Sequence, residues 1–234
     1  MMYSIFSKEI KAFFNSLVGY IIVIVFLLGV GLLMWVFQPT VFDNQVADMS
    51  NLFTMSPFMF LFFIPAITMR MLAEEKKTGT LEILLTKPIS EWDIILGKFW
   101  ASFALIIIAL LPTLVFYVSI YLLGNPIGNI DTSAVLGSYF GLILLGASFT
   151  AIGLFSSSIT DNQIIAFIIS LFISFIFFLG FDFIADIFKG NDYGFYIKQI
   201  GFSYHYEALS RGVIDLRNVA YLGGWTTIML GATT

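Results

Sequence analysis

The sequence predicts an all-α integral membrane protein with six membrane helices, and three observations carry that expectation. Of 234 residues, 59% are hydrophobic and only 11% charged, with a mean hydropathy of +0.96; such a chain cannot cover a globular core with polar surface. The apolar residues gather into uncharged windows of about 20, the length a helix needs to cross hydrocarbon at about 1.5 Å per residue. The charges fall between those windows, where water or headgroups can reach them. A net charge of −4, with its cations in separate segments, argues against a nucleic-acid partner. The absence of cysteine removes disulfides and thiolate metal sites.

The elements follow in order. In residues 1–16, Ile5, Phe6, Ile10, Phe13 and Phe14 recur at helical spacing around Lys8, Glu9 and Lys11. That pattern predicts an interfacial helix on the inner leaflet, a cytosolic extension of the first span being the plainer alternative. The first apolar run is too long for a signal-peptide core, so it is expected to stay as a span. Five spans read clearly, at 17–37, 52–72, 99–123, 134–159 and 163–181. A sixth, at 219–234, is weaker: its roughly 24 Å of helix falls short of a hydrocarbon layer of roughly 30 Å. Either it thins the bilayer or the natural terminus has been altered.

Lys and Arg in short loops mark the cytoplasmic side. Lys8 and Lys11 precede the first span, and Arg70, Lys76, Lys77, Lys87 and Lys98 flank the second-to-third linker, whereas residues 38–51 and 124–133 hold none. Both termini are therefore expected inside and residues 182–218 outside. Lys189, Lys198, Arg211 and Arg217 oppose that vote, but a long segment far from the first spans weighs little. Tyr193, Phe195, Tyr196, Tyr204 and Tyr206 among those charges have the composition of an interface belt, fitting re-entrant or surface helices.

Residues 73–90 form a charged island between spans two and three. Arg70 before it is expected to snorkel to the headgroups. Thr78-Gly79-Thr80 supplies a hinge and hydroxyls able to cap a new helix start; Leu81, Leu84 and Leu85 share one face, Glu82 suits the first turn, and Pro88 stops the helix. A helix of about two turns is not stable alone and needs a partner. By itself it fits a linker helix lying on the bilayer as well as a docking element. Ser90 with Asp93 then makes a capping box and Ile89 with Ile94 a staple, while Trp92, Lys98 and Trp100 anchor span three at the interface.

Residues Arg70 to Leu85, with Pro88, Ser90, Gly97 and Lys98, resemble the signature of ABC-2 type transporter permeases. Lys8-Glu9, Phe13-Phe14 and Tyr20 are similar to the amphipathic opening of that family. Asn162-Gln163-Ile164-Ile165 after Ser156-Ser157-Ser158 is similar to its turn between spans four and five. The stretch from Ser203 to Leu216 resembles the gliding-motility-associated permeases of Bacteroidetes. The resemblance implies that the island holds a coupling helix docking on a separate cytosolic ABC ATPase, through Glu75, Gly79, Thr80, Leu81, Glu82, Leu84, Leu85 and Pro88. It further implies a second permease chain, the same or related, and a bacterial inner-membrane exporter with outer helices capping the pathway. A membrane anchor that transmits force without moving solute is the alternative. The chain departs from the family pattern at residues 223–234, where a longer, more apolar helix is expected.

Gly137 and Gly141, with Ala134 and Ser148 near one face, permit close helix approach, within the chain or across a dimer seam. Pro57 and Pro65 are expected to interrupt span two, and Pro112 span three, each freeing carbonyls that neighbours must satisfy. His205 is the single histidine and has no ligand partners at metal spacing, so a hydrogen-bonded interfacial role is expected. No Walker loop, His-Glu-x-x-His helix or Gly-x-Ser-x-Gly elbow occurs, and Asp182 and Asp186 stand apart from any second acid pair. No cofactor, metal or catalytic residue is expected, and ATP hydrolysis falls to a partner.

Overall fold

The computed structural model describes residues 2–37, 40–41, 47–86, 89–188 and 192–234. Regular structure among them is entirely helical. Among the described residues, five helical stretches are long and apolar enough to cross a membrane: Leu17–Trp35, Ser50–Lys77, Glu91–Leu123, Thr132–Ile159 and Gln163–Ile187.

Helix α1 (Met2–Phe14) lies against the start of span three, and Phe13 at its end is buried. α2 (Leu17–Trp35) carries span one; its Phe26 stacks on Phe63 at 4.6 Å between ring centroids. α3 (Ser50–Thr68) runs unbroken through Pro57 and Pro65, where interruptions were expected. A neighbour accommodates the group freed at Pro57, which leaves the Phe53 carbonyl without its helical donor: the Tyr206 hydroxyl donates to it at 2.6 Å. The break falls later, at Met69–Leu72, before α4 (Ala73–Lys77) and α5 (Thr80–Leu85).

α6 (Glu91–Leu110) starts well before the apolar window, because Ser90 accepts from the Asp93 amide at 3.2 Å and opens the helix among charged residues. Pro112 tightens span three into a 3₁₀ turn at Leu111–Thr113. The Thr113 hydroxyl donates to the Leu110 carbonyl at 2.6 Å and stands 2.9 Å from the Tyr139 hydroxyl, and α7 (Leu114–Leu123) continues the span.

α8 (Thr132–Ile159) is the central helix. Ten of its eighteen buried residues are glycine, alanine or serine, so neighbouring backbones come close. A Cβ at Gly141 would stand 2.5 Å from the Leu209 Cβ, one at Gly137 2.7 Å from the Gly212 carbonyl oxygen, and one at Gly153 would strike the Thr68 side chain. α9 (Gln163–Phe175) starts at Asn162, which accepts from the Ile164 amide at 2.9 Å. It runs through a π-turn at Ile176–Gly180 into α10 (Phe181–Ile187), so span five extends past the expected boundary at 181. α11 (Asp192–Lys198) and α12 (Phe202–Ser210) form the next segment; α12 lies on α8 at Gly141, and the turn that follows it lies on Gly137 through Gly212.

α13 (Leu216–Gly231) starts at Asp215, which accepts from the Arg217 amide at 2.9 Å. It packs along α8: Ser148 donates to the Leu222 carbonyl at 3.1 Å and lies 3.2 Å from the Thr226 hydroxyl. At 16 residues it is shorter than the five stretches that meet the length of a span.

Candidate functional site

The charged end of the bundle is organised by two side chains from distant helices. The Ser157 hydroxyl on α8 accepts from the Leu72 and Ala73 amides, each at 3.0 Å, and donates to the Met69 carbonyl at 3.0 Å. It supplies what the backbone loses where α3 stops, so the break is held rather than frayed. The Lys76 ammonium donates to the Ser158 carbonyl on the same helix.

Lys98 on α6 holds the other side. Its side chain is 1% exposed; the ammonium donates to the Met71 carbonyl at 2.6 Å and to Glu9 Oε1 at 2.8 Å, and lies 3.0 Å from Glu75 Oε2. The other oxygen of Glu75 accepts from Lys8 at 2.6 Å. Four charges from α1, α4 and α6 thus neutralise one another. A lone buried ammonium would cost several kcal/mol, so each partner's presence depends on the others. Partial burial pulls the Lys8 ammonium down, but its hydrogen bond to Glu75 and the charges of Glu9 and Glu75 outweigh this and hold it above the ordinary lysine value.

Lys98, read as an interface anchor, therefore has another position. Lys98 points into protein, where its carboxylate partners lie. Arg70 places its guanidinium 5.5 Å from the centre of the Phe13 ring, a cation–π contact with α1. The α1–α6 seam is close because Gly97 lacks a side chain; a Cβ there would stand 3.0 Å from Ile5 Cβ.

From this base the island projects. Gly79 adopts φ +68°, which turns the chain from α4 into α5, with nothing near the position a Cβ would take. The threonine hydroxyls, expected to cap α5, instead close α4. Thr78 donates to the Glu74 carbonyl at 2.9 Å, Thr80 to the Glu75 carbonyl at 3.4 Å, and no side chain caps α5. The physical reason is that α4 ends with free carbonyls within reach of a hydroxyl proton.

Of the residues singled out from the sequence, Thr80 and Glu82 are exposed, and Leu81 and Leu84 are half-buried. Leu81 faces a cavity of about 350 Å³ shared with Leu72, Ile94 and Ile95. Leu85 closes α5, and Pro88 lies outside the described residues. Glu75 turns inward to Lys98 and Lys8, away from the exposed face of α5. Gly137 and Gly141 lie near the start of α8, away from Ser157, against Gly212 and α12. Sequence reasoning missed Lys8, Glu9, Lys98 and Ser157 as parts of the site. The one available signal was a lysine within an apolar helix, which demands a carboxylate partner.

No cluster of metal-ligating side chains occurs among the described residues. His205 hydrogen-bonds the Asn218 side chain and the Gln199 carbonyl, each at 2.8 Å, and stacks on Tyr221 at 3.8 Å between centroids.

Over 102 residues, 44% of the chain, the sequence is 32% identical to the probable multidrug ABC transporter permease YbhR of Escherichia coli K12, and equally so to that of E. coli O157:H7. The chain spans 26% of the length of those relatives. The profile described as ABC-2 family transporter protein matches residues 3–234, and a multi-pass helical membrane chain matched over nearly its whole length belongs to that family.

Proposed function

We propose that this chain is the membrane-spanning permease subunit of an inner-membrane ABC exporter, in which α5 is the coupling helix that receives the push of a separate cytosolic ATPase. The observation that carries this reading is the foundation of α5. A two-turn helix with Glu82 exposed stands on α4, and α4 is fixed to α1 and α6 by the Lys98–Glu75–Glu9 cluster and to α8 by Ser157. A force applied at Leu81 and Leu84 reaches α4 through the turn at Gly79 and passes from there to α1, α6 and α8. The Lys/Arg distribution supports the cytoplasmic side for this end and for both termini.

A partner ATPase and a second permease chain complete the transporter, since the sequence has no Walker loop of its own. Replacing Leu84 by Asp is expected to abolish co-purification with the ATPase while membrane insertion persists; unchanged co-purification removes the coupling assignment.

The stretch from Ser203 to Leu216, similar to gliding-motility permeases, supports a more specific reading in which the exporter serves surface motility. A force-transmitting anchor shares that feature. ATP-dependent flux in vesicles carrying the full assembly separates them, because the anchor moves no solute.

A further inference from the structure

At the opposite end of the bundle, the outer half of α3 and α12 enclose a groove of about 390 Å³ with the π-turn of span five between them. Its apolar wall is Phe58, Phe178 and Leu179, with the Phe58 and Phe178 rings edge to face at 5.8 Å. The π-turn, with its wider i to i+5 spacing, places two consecutive residues, Phe178 and Leu179, on this wall. Phe58 lies eight residues along α3 from its first residue, so the apolar part extends about 12 Å below the helix start.

The other end of the groove is charged. Arg211 donates to Glu207 at 2.6 Å, and both side chains are largely exposed, at 72% and 54%. Behind the Ser203 wall lies Asp182: Ser203 donates to one carboxylate oxygen at 2.5 Å, and the other is buried without a hydrogen-bond partner among the described residues. One guanidinium and one carboxylate therefore meet at the rim, with a second carboxylate behind the Ser203 wall. That arrangement suits a headgroup bearing both a phosphate and an ammonium, and opposes one that is only anionic.

We infer that this groove binds a phospholipid of the bilayer with a phosphoethanolamine headgroup. The phosphate meets Arg211, the ammonium meets Glu207, and an acyl chain lies along Phe58, Phe178 and Leu179. The occupant is a membrane lipid because the apolar wall descends from the charged rim in the direction of the spans, as an acyl chain does from its headgroup. This site is remote from the coupling region and stands whether or not the docking reading does.

The test is a lipid titration of the purified full-length chain in detergent, read by native mass spectrometry, with phosphatidylethanolamine and phosphatidylglycerol as probes. Wild type is expected to retain phosphatidylethanolamine about fivefold better than phosphatidylglycerol, the scale of one partly exposed ion pair. Glu207→Gln, a change at an exposed position that leaves packing intact, is expected to bring the two lipids to parity. Leu179→Trp, which fills the groove, is expected to lower retention of both. Equal retention of the two lipids by wild type, or an unchanged preference in Glu207→Gln, overturns the inference. Folding is checked by the thermal midpoint, and Glu207→Gln decides the matter if Leu179→Trp unfolds.

Discussion

Lys98 and Glu75 stand 3.0 Å apart where α6 passes α4, with the lysine side chain 1% exposed and the glutamate 12%. The pair joins the first helix of the island to the helix that follows it, and Glu9 at 2.8 Å brings α1 into the same contact. A charge taken out of water is tolerated only while its partners remain. The cluster therefore acts as a unit, and its loss is expected to loosen α1 and α4 together.

Lys98→Met tests that unit. It leaves Glu9 and Glu75 close together without their shared cation, and is expected to destabilise the chain by about 3–5 kcal/mol. The triple change Lys98→Met, Glu9→Gln and Glu75→Gln, which removes the uncompensated charge, is expected to recover most of that loss. Thermal unfolding in detergent measures both. A single variant as stable as wild type, or a triple variant no better than the single, contradicts the account.

Tyr206 and Pro57 are linked through a carbonyl that neither owns. Proline at position 57 cannot donate to Phe53, and Tyr206 donates instead at 2.6 Å from a fully buried hydroxyl, held in its neutral form by that burial. Tyr206→Phe is expected to cost about 1–3 kcal/mol by leaving the carbonyl unpaired. In a Pro57→Ala background the new amide at position 57 restores the helical bond, and the same tyrosine change is expected to cost much less. A double-mutant cycle with no coupling energy would show that the two residues act independently.

The sequence was most legible where structure is local. The Ser90 cap on Asp93 and the glycine turn at position 79 depend on neighbours within three residues. Helix limits were less legible, because apolar windows end at the first charge while helices do not: α6 begins at Glu91, eight residues before its window. What escaped was set by distant partners. Lys98 reads as an interfacial anchor until Glu9, 89 residues away, is beside it. No proline or glycine announces the break at Met69–Leu72, since it depends on Ser157, 85 residues from Leu72. The leucines of α5 were visible as a pattern, whereas the contacts that hold α4 beneath them were not.

Gly141 distinguishes packing within the chain from packing between chains. Its missing side chain admits Leu209, whose Cβ would lie 2.5 Å from a Cβ placed there. Gly141→Val is expected to destabilise the chain by about 1–3 kcal/mol through overpacking, with the mass of the assembly in detergent unchanged. Size-exclusion chromatography with light scattering reads the mass. A fall in mass with stability retained would place the glycine at a seam between chains.

Gly79 offers a sharper probe of coupling, because its surroundings are empty. A side chain there meets no atom within 4 Å, so any effect of substitution comes from the backbone, held at φ +68°. Asparagine visits that region readily and valine does so only at a genuine steric cost. Both variants should insert and keep their thermal midpoints, since α5 lies outside the buried core. They should differ in the direction of α5. With a cysteine at position 84, Gly79→Asn is expected to cross-link to the ATPase as well as the parent does, and Gly79→Val several-fold less. If valine cross-links equally well, the left-handed turn does not aim the helix, and docking must be directed from the other end of the island.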